Sequence, residues 1–251
     1  MIKRQFLCAA YIALLCISIG CANGQLQRDQ GQLHMRIGVG YLNQGKYPQA
    51  LTELLKADQL DPNDPSIQNN LGLAYYVRKD FKAAEAHIRK AIKLYPNYSD
   101  ARNNLGHLLT DLGRYDEAIT ELNIVIKDLT YQTPERAFLN IGIAYMKKGD
   151  FNGALNNFKK SMESNTRFCP AYNYYGQTLF QQQKYTDAID SFDQALALCN
   201  NNYDEAHYYS AISYYKVGQT EKAKARLEEV EKQYPQSDYA IKAKNMLKTI
   251  R

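Results

Sequence analysis

IGVGYLNQGKYPQALTELLKADQLDP, at residues 37–62, contains the features that decide the fold of this chain. Gly38 and Ala50 are small residues on either side of a turn, and that turn contains Gly45. Glycine allows the positive φ of a tight turn between helices. Pro62 closes the stretch, and proline stops a helix because it lacks the backbone N–H. The segment therefore predicts two helices that cross where their residues are small.

This pattern recurs six times along the chain. The small residue returns at spacings of 34, 34, 36, 34 and 35 residues, a tyrosine or leucine follows it by three residues, and an alanine follows it by twelve. The small residues are Gly38, Gly72, Gly106, Gly142, Gly176 and Ala211, and the alanines are Ala50, Ala84, Ala118, Ala154, Ala188 and Ala223. A single hairpin cannot bury its apolar face alone, so stacked hairpins are expected to share one continuous core.

A period of 34 with small, aromatic and proline positions resembles the tetratricopeptide repeat (TPR). The resemblance implies an all-α fold, a right-handed superhelical solenoid of six TPR hairpins. We place the repeats at residues 31–64, 65–98, 99–134, 135–168, 169–203 and 204–236. Residues 237–251 are expected to form a capping helix, because Tyr239, Ala243 and Met246 share one stripe that would cover the last hairpin.

One interruption breaks the spacing. Two extra residues fall between the third and fourth repeats, where the sequence reads DLTYQTP at residues 128–134. Pro134 suits the first position of a helix because its φ is fixed. A bend of the superhelix is expected there.

The N-terminus predicts export. Lys3 and Arg4 precede an apolar stretch, and Gly20 stands before Cys21. A basic start, a short apolar core and a small residue before the cleavage site are typical of a secretory signal peptide, here residues 1–20. The apolar stretch has roughly 15 residues, fewer than the roughly 20 that span a bilayer as a helix.

Ser18-Ile-Gly-Cys21 resembles a bacterial lipobox, although Ser18 stands where leucine is usual. The resemblance implies that Cys21 is acylated and that residues 21–30 form a lipidated tether. Ala22 follows the cysteine where an aspartate would retain a lipoprotein at the inner membrane. The implied location is the periplasmic side of the outer membrane. The alternative is ordinary cleavage near Gly20 or Gly24, which gives a soluble periplasmic protein.

Charge argues against a nucleic-acid partner. The chain has 31 basic and 26 acidic residues, and 29 basic residues remain without Lys3 and Arg4. This excess is too small for a phosphate-binding surface. With 45% apolar and 23% charged residues among 251, the chain has the composition of a folded domain.

Two cysteines remain outside the N-terminal segment. Cys169 and Cys199 lie at the two ends of one predicted hairpin, whose antiparallel helices bring those ends together. In an oxidising periplasm they form either a disulfide or two separate buried thiols.

No pattern indicates catalysis. The four histidines are scattered among different repeats, and neither a metal-binding pair nor a glycine-rich phosphate loop is present. The chain is therefore expected to be no enzyme and to bind neither metal, cofactor nor small-molecule substrate.

What remains is a binding surface. In arrays of this kind the first helix of each hairpin lines the concave face, with its second, fifth, sixth, ninth, twelfth and thirteenth positions. The expected contacts at these positions are Val39, Leu42, Asn70, Leu73, Tyr76, Asn104, Arg136, Asn140, Ile143, Met146, Tyr174, Phe180, Tyr209, Ile212 and Tyr215. An asparagine can hold a peptide backbone by hydrogen bonds, and apolar side chains can hold a partner helix or strand. About half of the apolar members are expected to belong to the core.

One subclass of partner is disfavoured. Chaperone-binding members of this repeat class hold acidic C-termini with a lysine or arginine beside such asparagines. Among the second positions only Arg136 is basic.

NNLG at residues 103–106, GRYDEA at 113–118 and YQTPERA at 131–137, together with the lipobox and six repeats, resemble the type IV pilus biogenesis and stability lipoproteins. These are the pilotins of the pilus secretin. The resemblance implies a non-catalytic lipoprotein that binds secretin subunits and promotes their localisation and multimer assembly at the outer membrane. Ser18, and tyrosines in the fifth and sixth repeats, depart from the family pattern. An alternative is another periplasmic adaptor, such as a scaffold for cell-wall enzymes.

Overall fold

A computed structural model describes residues 24–200 and 203–250, and these residues form α-helices joined by short turns, with no β-strand among them. The expected all-α fold is confirmed. The signal peptide and Cys21 lie outside the described residues. The chain divides into two compact units between Leu108 and Leu109, which are described separately below.

The helices follow one another in pairs, and each pair is one hairpin. Within a pair the first is called the A helix and the second the B helix; α13 follows the last pair. The helices are α1 (24–43), α2 (Tyr47–Leu60), α3 (Pro65–Val77), α4 (Phe81–Leu94), α5 (Ser99–Asp111), α6 (Tyr115–Val125), α7 (Pro134–Lys148), α8 (Phe151–Ser164), α9 (Cys169–Gln181), α10 (Tyr185–Leu198), α11 (Asp204–Lys216), α12 (Thr220–Gln233) and α13 (Asp238–Leu247).

The described part of helix α1 includes residues 24–30, inside the segment that the sequence assigned to a tether. Side chains one turn apart stabilise the helix here, since Gln25 Nε2 donates to Asp29 Oδ1 at 2.8 Å and Arg28 Nη2 donates to Gln25 Oε1 at 3.0 Å. Each such contact stabilises an exposed helix by about 0.2 to 0.5 kcal/mol. The polar composition of residues 24–30 is therefore compatible with an extended A helix.

One core cluster of the first unit is built from α1, α2 and α3. Leu54, Ile67 and Leu71 are fully buried, and Leu42 and Tyr75 pack against them. Asp64 starts α3 by accepting hydrogen bonds from the backbone N–H groups of Ser66 and Ile67, which have no partner inside the helix.

Glycine is needed at the crossing in four hairpins, at Gly38, Gly72, Gly142 and Gly176, because a B-helix side chain fills the space where its Cβ would be. A Cβ on Gly38 would lie 2.7 Å from Leu54 Cγ and 3.2 Å from the carbonyl oxygen of Ala50. A Cβ on Gly176 would lie 2.8 Å from the ring of Phe192. The expected close crossing of the two helices is therefore present.

The turn inside each hairpin contains one residue with positive φ. Gly45, Gly113, Gly149 and Gly218 occupy it in four hairpins, whereas Lys79 (φ 63°) and Gln183 (φ 61°) occupy it in the other two. An L-residue with a side chain is strained in this region by roughly 1 to 2 kcal/mol. The backbone of the hairpin thus imposes the conformation even where glycine is missing.

Replacing Lys79 or Gln183 by glycine should therefore stabilise the protein, by about 0.5 to 1 kcal/mol each after the added chain entropy of glycine is subtracted. Urea unfolding followed by circular dichroism measures this. The matched control is Gly113→Ala, which should destabilise by a similar amount. Glycine variants no more stable than the parent would show that these turns carry no strain.

The inserted segment between the third and fourth hairpins forms a turn. Asp128 Oδ1 accepts from the backbone N–H of Thr130 at 3.0 Å and from its hydroxyl at 2.7 Å. Leu129 is 97% exposed at the tip, and α7 starts at Pro134. Pro134 therefore occupies the helix start that the sequence predicted.

The second unit stacks its helices in sequence. Each of α6 to α13 packs on the next, and in addition α7 contacts α9, α9 contacts α11, and α11 contacts α13. Helices α7, α9, α11 and α13 therefore lie side by side as one layer. In the fifth hairpin Cys169 and Cys199 are joined as a disulfide, with Cα atoms 5.9 Å apart.

Candidate functional site

The A helices carry the residues expected to bind a partner, and we call the surface that these residues form the inner face. In the first unit its members are Val39, Leu42, Asn70, Leu73, Tyr76 and Asn104, all half-buried. Two of them are partly engaged already, because Asn70 Nδ2 donates to the Ser66 carbonyl at 2.9 Å and Asn104 Nδ2 donates to Asn69 Oδ1 at 3.0 Å. A side-chain amide has two donor hydrogens and an acceptor oxygen, so these bonds use part of its capacity.

The aromatic member of this face is supported on two sides. The ring of Tyr76 lies 5.9 Å from that of Phe81 and 5.3 Å from that of His107. Leu42 packs against the core. The inner face of the first unit therefore combines fixed apolar side chains with asparagines.

In the second unit the inner face is aromatic. Phe180 and Tyr209 meet edge to face at 5.4 Å, and the ring of Tyr239 from α13 lies 6.1 Å from that of Tyr209. Met146 and Tyr174 pack against the cluster around Phe158. The half-buried rings thus pack against one another and against the core clusters beneath them.

The expected contact residues differ in their exposure. Ile143 is only 8% exposed and belongs to the core, so it offers no contact to a partner. Arg136 is exposed, Tyr215 is 39% exposed, and Asn140 and Ile212 are half-buried. Arg136 and Tyr215 are therefore the most accessible members of the predicted set.

A packing rule explains why the sixth position is asparagine in some repeats and tyrosine in others. Tyr174 stacks on Phe158 at 6.0 Å, and Tyr209 stacks on Phe192 at 6.1 Å. Each phenylalanine belongs to the B helix of the preceding hairpin. Where the sixth position is Asn70, Asn104 or Asn140, the equivalent B-helix residue is Leu54, Ile88 or Leu122. Tyrosine at this position is therefore paired with an aromatic neighbour.

Sequence reasoning missed a polar cluster at the base of the aromatic face. Glu205 accepts a hydrogen bond from Asn173 Nδ2 at 2.9 Å and from the Tyr239 hydroxyl at 2.5 Å. Asn173 also donates to the hydroxyl of Tyr203 at 3.1 Å. The cluster joins α9, α11 and α13, and its signal in the sequence was the excess of tyrosine in the last two repeats.

Burial raises the pKa of Tyr174 and Tyr209, and it also raises the pKa of Tyr203 and Tyr239 strongly, with the Glu205 carboxylate adding to each shift. The unfolded chain releases phenolic protons near pH 10, whereas the folded unit holds these protons to higher pH. The folded state therefore binds more protons above pH 10, and its stability must fall as pH rises from there.

We expect alkaline unfolding of the second unit, with phenolate absorbance and loss of helical circular dichroism changing in one step. In urea the tyrosines should instead titrate together near the ordinary tyrosine pKa. Complete titration at the ordinary tyrosine pKa with intact helices would contradict the burial of these rings.

The histidines take part in packing and surface contacts. His34 Nδ1 lies 2.6 Å from Glu53, His87 Nδ1 lies 2.8 Å from Gln68 Oε1, and His207 is buried. Among residues 24–200 and 203–250, no three metal-ligating side chains come together as a metal site. No helix in the same ranges is long and apolar enough to cross a bilayer.

Family models match most of the chain. A model described as TPR repeat matches residues 40–77, and models described as tetratricopeptide repeat match residues 75–129, 135–167 and 167–237. The matched ranges together include residues of all six hairpins, although most of α1 lies outside them.

Three curated relatives differ in how much they share. Intraflagellar transport protein 88 homolog of Homo sapiens is 24% identical over 44% of this chain, and tetratricopeptide repeat protein 13 of Homo sapiens is 33% identical over 36%. The chain spans only 14% and 10% of those two proteins. The type IV pilus assembly protein PilF of Pseudomonas aeruginosa is 26% identical over 74% of this chain and 77% of its own length.

Solved structures share the fold. The crystal structure of PilW, a type IV pilus biogenesis factor, matches with a TM-score of 0.78 at 22% identity, covering 88% of this chain and 97% of that one. The structure of Pseudomonas aeruginosa PilF matches with a TM-score of 0.72 at 21% identity, covering 88% and 99%. The chain is therefore a tetratricopeptide-repeat protein with the solenoid fold of these type IV pilus biogenesis factors.

Proposed function

We propose that this chain binds subunits of the type IV pilus secretin and promotes their localisation and multimer assembly at the outer membrane. The supporting observation is the extent of the similarity to PilF, which runs through 77% of that protein rather than through one or two repeats. Repeat proteins of this kind act as protein-interaction scaffolds with a concave binding surface. The similarity to PilF thus favours a pilus-related partner for this protein-binding fold.

The inner face supplies the contacts in this proposal. Its aromatic part offers rigid apolar area with hydroxyls, which suits a partner helix or strand, and tyrosine and arginine often dominate binding energy at interfaces. The accessible members Arg136 and Tyr215 are proposed as the main contacts. Acylated Cys21 would hold the array at the membrane, since several acyl chains on one residue anchor a protein stably.

Deletion of the gene tests the function. Secretin multimers in unheated gels should fall at least about tenfold in the deletion strain, and the parent gene should restore them. Multimers at the normal amount without the protein would overturn the proposal. Co-purification of cell-wall hydrolases in place of secretin would support the alternative adaptor.

Substitution on the inner face tests the binding surface. Tyr215→Ala combined with Arg136→Ala should weaken secretin capture about tenfold or more, since truncating interface anchors often costs above 1 kcal/mol each. The matched control is Tyr47→Ala, because Tyr47 is 40% exposed but lies on a B helix, whereas Tyr215 is 39% exposed on an A helix. Equal capture by both variants would place the contact on another face.

A further inference from the structure

Helix α1 carries apolar residues on two opposite sides. Gly38 and Leu42 face α2 and the core of the first hairpin. Leu26, Leu33 and Ile37 are 57%, 50% and 40% exposed, and their spacings of seven and four residues place them on one face of the helix. We call these three residues the outer stripe. At 3.6 residues per turn, the outer stripe lies on the side of α1 that is turned away from the core.

The outer stripe occupies positions that are covered in the other hairpins. Counted from the start of the repeat, Leu33, Ile37 and Gly40 are the third, seventh and tenth residues. Their equivalents in the second hairpin are fully buried in one cluster with the B helix of the preceding hairpin, and they are Ile67, Leu71 and Ala74. The third residues of the later hairpins are also fully buried, and they are Ala101, Ala137, Ala171 and Ala206. These positions therefore pack against a helix wherever the array provides one.

The first hairpin has no hairpin before it among the described residues, so its stripe stays open. A Cβ added at Gly40 would meet no neighbouring helix within 4 Å in residues 24–200 and 203–250. Gly40 therefore leaves space for a large side chain next to the stripe. Exposed apolar surface of this kind marks an interaction site, and the equivalent positions show that a helix fits it.

A second copy of α1, running antiparallel, provides such a helix. With a twofold axis at Leu33, residues equally far before and after Leu33 come opposite each other. Leu26 and Gly40 are each seven residues from Leu33. Leu26 of one copy therefore fills the open space at Gly40 of the other, and the two copies of Leu33 meet at the axis.

The charges beside the stripe are self-complementary in this arrangement. Asp29 and Arg36 are exposed on the same flank of the stripe, four residues before and three residues after Leu33. Antiparallel helices bring equal flanks together, so Asp29 of each copy lies beside Arg36 of the other. Arg36 has no ion-pair partner among the residues that the structure describes. Asp29 uses Oδ1 to accept from Gln25, and a carboxylate can accept further hydrogen bonds from a guanidinium.

The last hairpin offers no comparable surface for head-to-tail stacking. Ala240 and Ala243 of α13 are buried in one cluster with Leu227 and Val230 of α12. A capping helix of this kind closes a repeat array. The open surface of α1 is therefore matched by another α1 and not by the opposite end of the chain.

We propose that the outer stripe is the interface between two copies of this chain, which pack through antiparallel α1 helices about a twofold axis at Leu33. The interface uses one helix from each copy, and interfaces of this small size are weak and depend on concentration. The dimer carries two inner faces, so one assembly can hold two partner segments. The interface is independent of the secretin-binding role.

Disulfide trapping in the full chain tests the position of the axis. Leu33→Cys should form an intermolecular disulfide on mild oxidation with copper phenanthroline, because the two copies of residue 33 meet. Leu26→Cys is the matched control, since it is equally exposed on the same stripe but its two copies lie about 21 Å apart along the helices. Cross-linked dimer above the parent background should be at least about tenfold more abundant for Leu33→Cys. Equal amounts from the two variants, or no dimer from Leu33→Cys, would overturn the proposal.

Charge exchange tests the pairing across the axis. Asp29→Arg or Arg36→Asp alone places like charges beside each other twice per dimer, and it should raise the dimer Kd at least about tenfold. The double variant restores opposite charges and should return the Kd to within about threefold of the parent value. Arg28→Asp is the matched control, because Arg28 is exposed on α1 but lies away from the stripe, and it should leave the Kd unchanged.

Sedimentation velocity at increasing concentration measures these Kd values, with the chain from residue 22 onward, which contains every described residue. A parent chain that stays monomeric, or a double variant no better than the single variants, would contradict the proposed interface. Stripe-dependent sedimentation with vesicles of phosphatidylglycerol and phosphatidylethanolamine, without dimer formation, would assign the stripe to lipid and also overturn the proposal.

Discussion

Replacing Phe158 by alanine lowers the free energy of unfolding of the second unit by about 3 to 5 kcal/mol. Phe158 is fully buried, its ring occupies the gap beside Gly142, and Tyr174 stacks on its other side. Removing the ring leaves a cavity between two hairpins and takes away an aromatic pair worth about 1 kcal/mol in addition to buried area. No other single truncation in this unit is expected to cost more.

The measurement is urea unfolding followed by circular dichroism, because the chain has no tryptophan to serve as a fluorescence probe. Phe138→Ala is the matched control, since Phe138 is half-buried on α7 with the ammonium of Lys160 6.0 Å from its ring centre. Phe138→Ala should cost clearly less. A similar loss from both variants would mean that the Gly142 gap plays no special part.

Loss of the Cys169–Cys199 disulfide is expected to cost about 3 to 4 kcal/mol, because the bond closes a loop of 30 residues in the unfolded chain. The bond joins the start of α9 to the end of α10, so it ties one hairpin at its open end. Unfolding of the parent protein with and without reductant measures the effect.

The double variant Cys169→Ser/Cys199→Ser supplies the control for this prediction. It should match the reduced parent in stability, and reductant should change it no further. Intact mass after alkylation under non-reducing conditions decides the redox state independently. Two alkylated thiols in the protein isolated from an oxidising compartment would contradict the prediction.

The hairpins were predictable because their determinants are local and repeated. Gly38 and Ala50 indicate the crossing of α1 and α2, and prolines such as Pro62 mark the end of a B helix two residues after Leu60. The same pattern occurs six times in register, which chance does not produce. Residue type, spacing and the rules for helix ends are sufficient for that part of the structure.

Features that depend on neighbouring hairpins were harder to predict from the sequence. Lys79 and Gln183 adopt positive φ without the glycine that signals it, since the hairpin geometry overrides the preference of the residue. Ile143 occupies a position expected to face a partner yet lies in the core. Both depend on packing between elements, which a single repeat does not encode.

The polar contacts of the second unit required coordinates for another reason. Glu205, Asn173 and Tyr239 come from three helices, and no spacing in the sequence brings them together.

The position of Phe158 determines where repeats of such arrays can be recombined. Its ring fits Gly142 within its own hairpin and Tyr174 in the next, so a cut at the repeat boundary separates residues that must be exchanged together. The module that can be duplicated or transplanted without repacking therefore begins ahead of one glycine and ends after the following tyrosine. Chimeras joined at conventional repeat ends should lose stability wherever an aromatic pair is split, and chimeras joined inside the A helix should not.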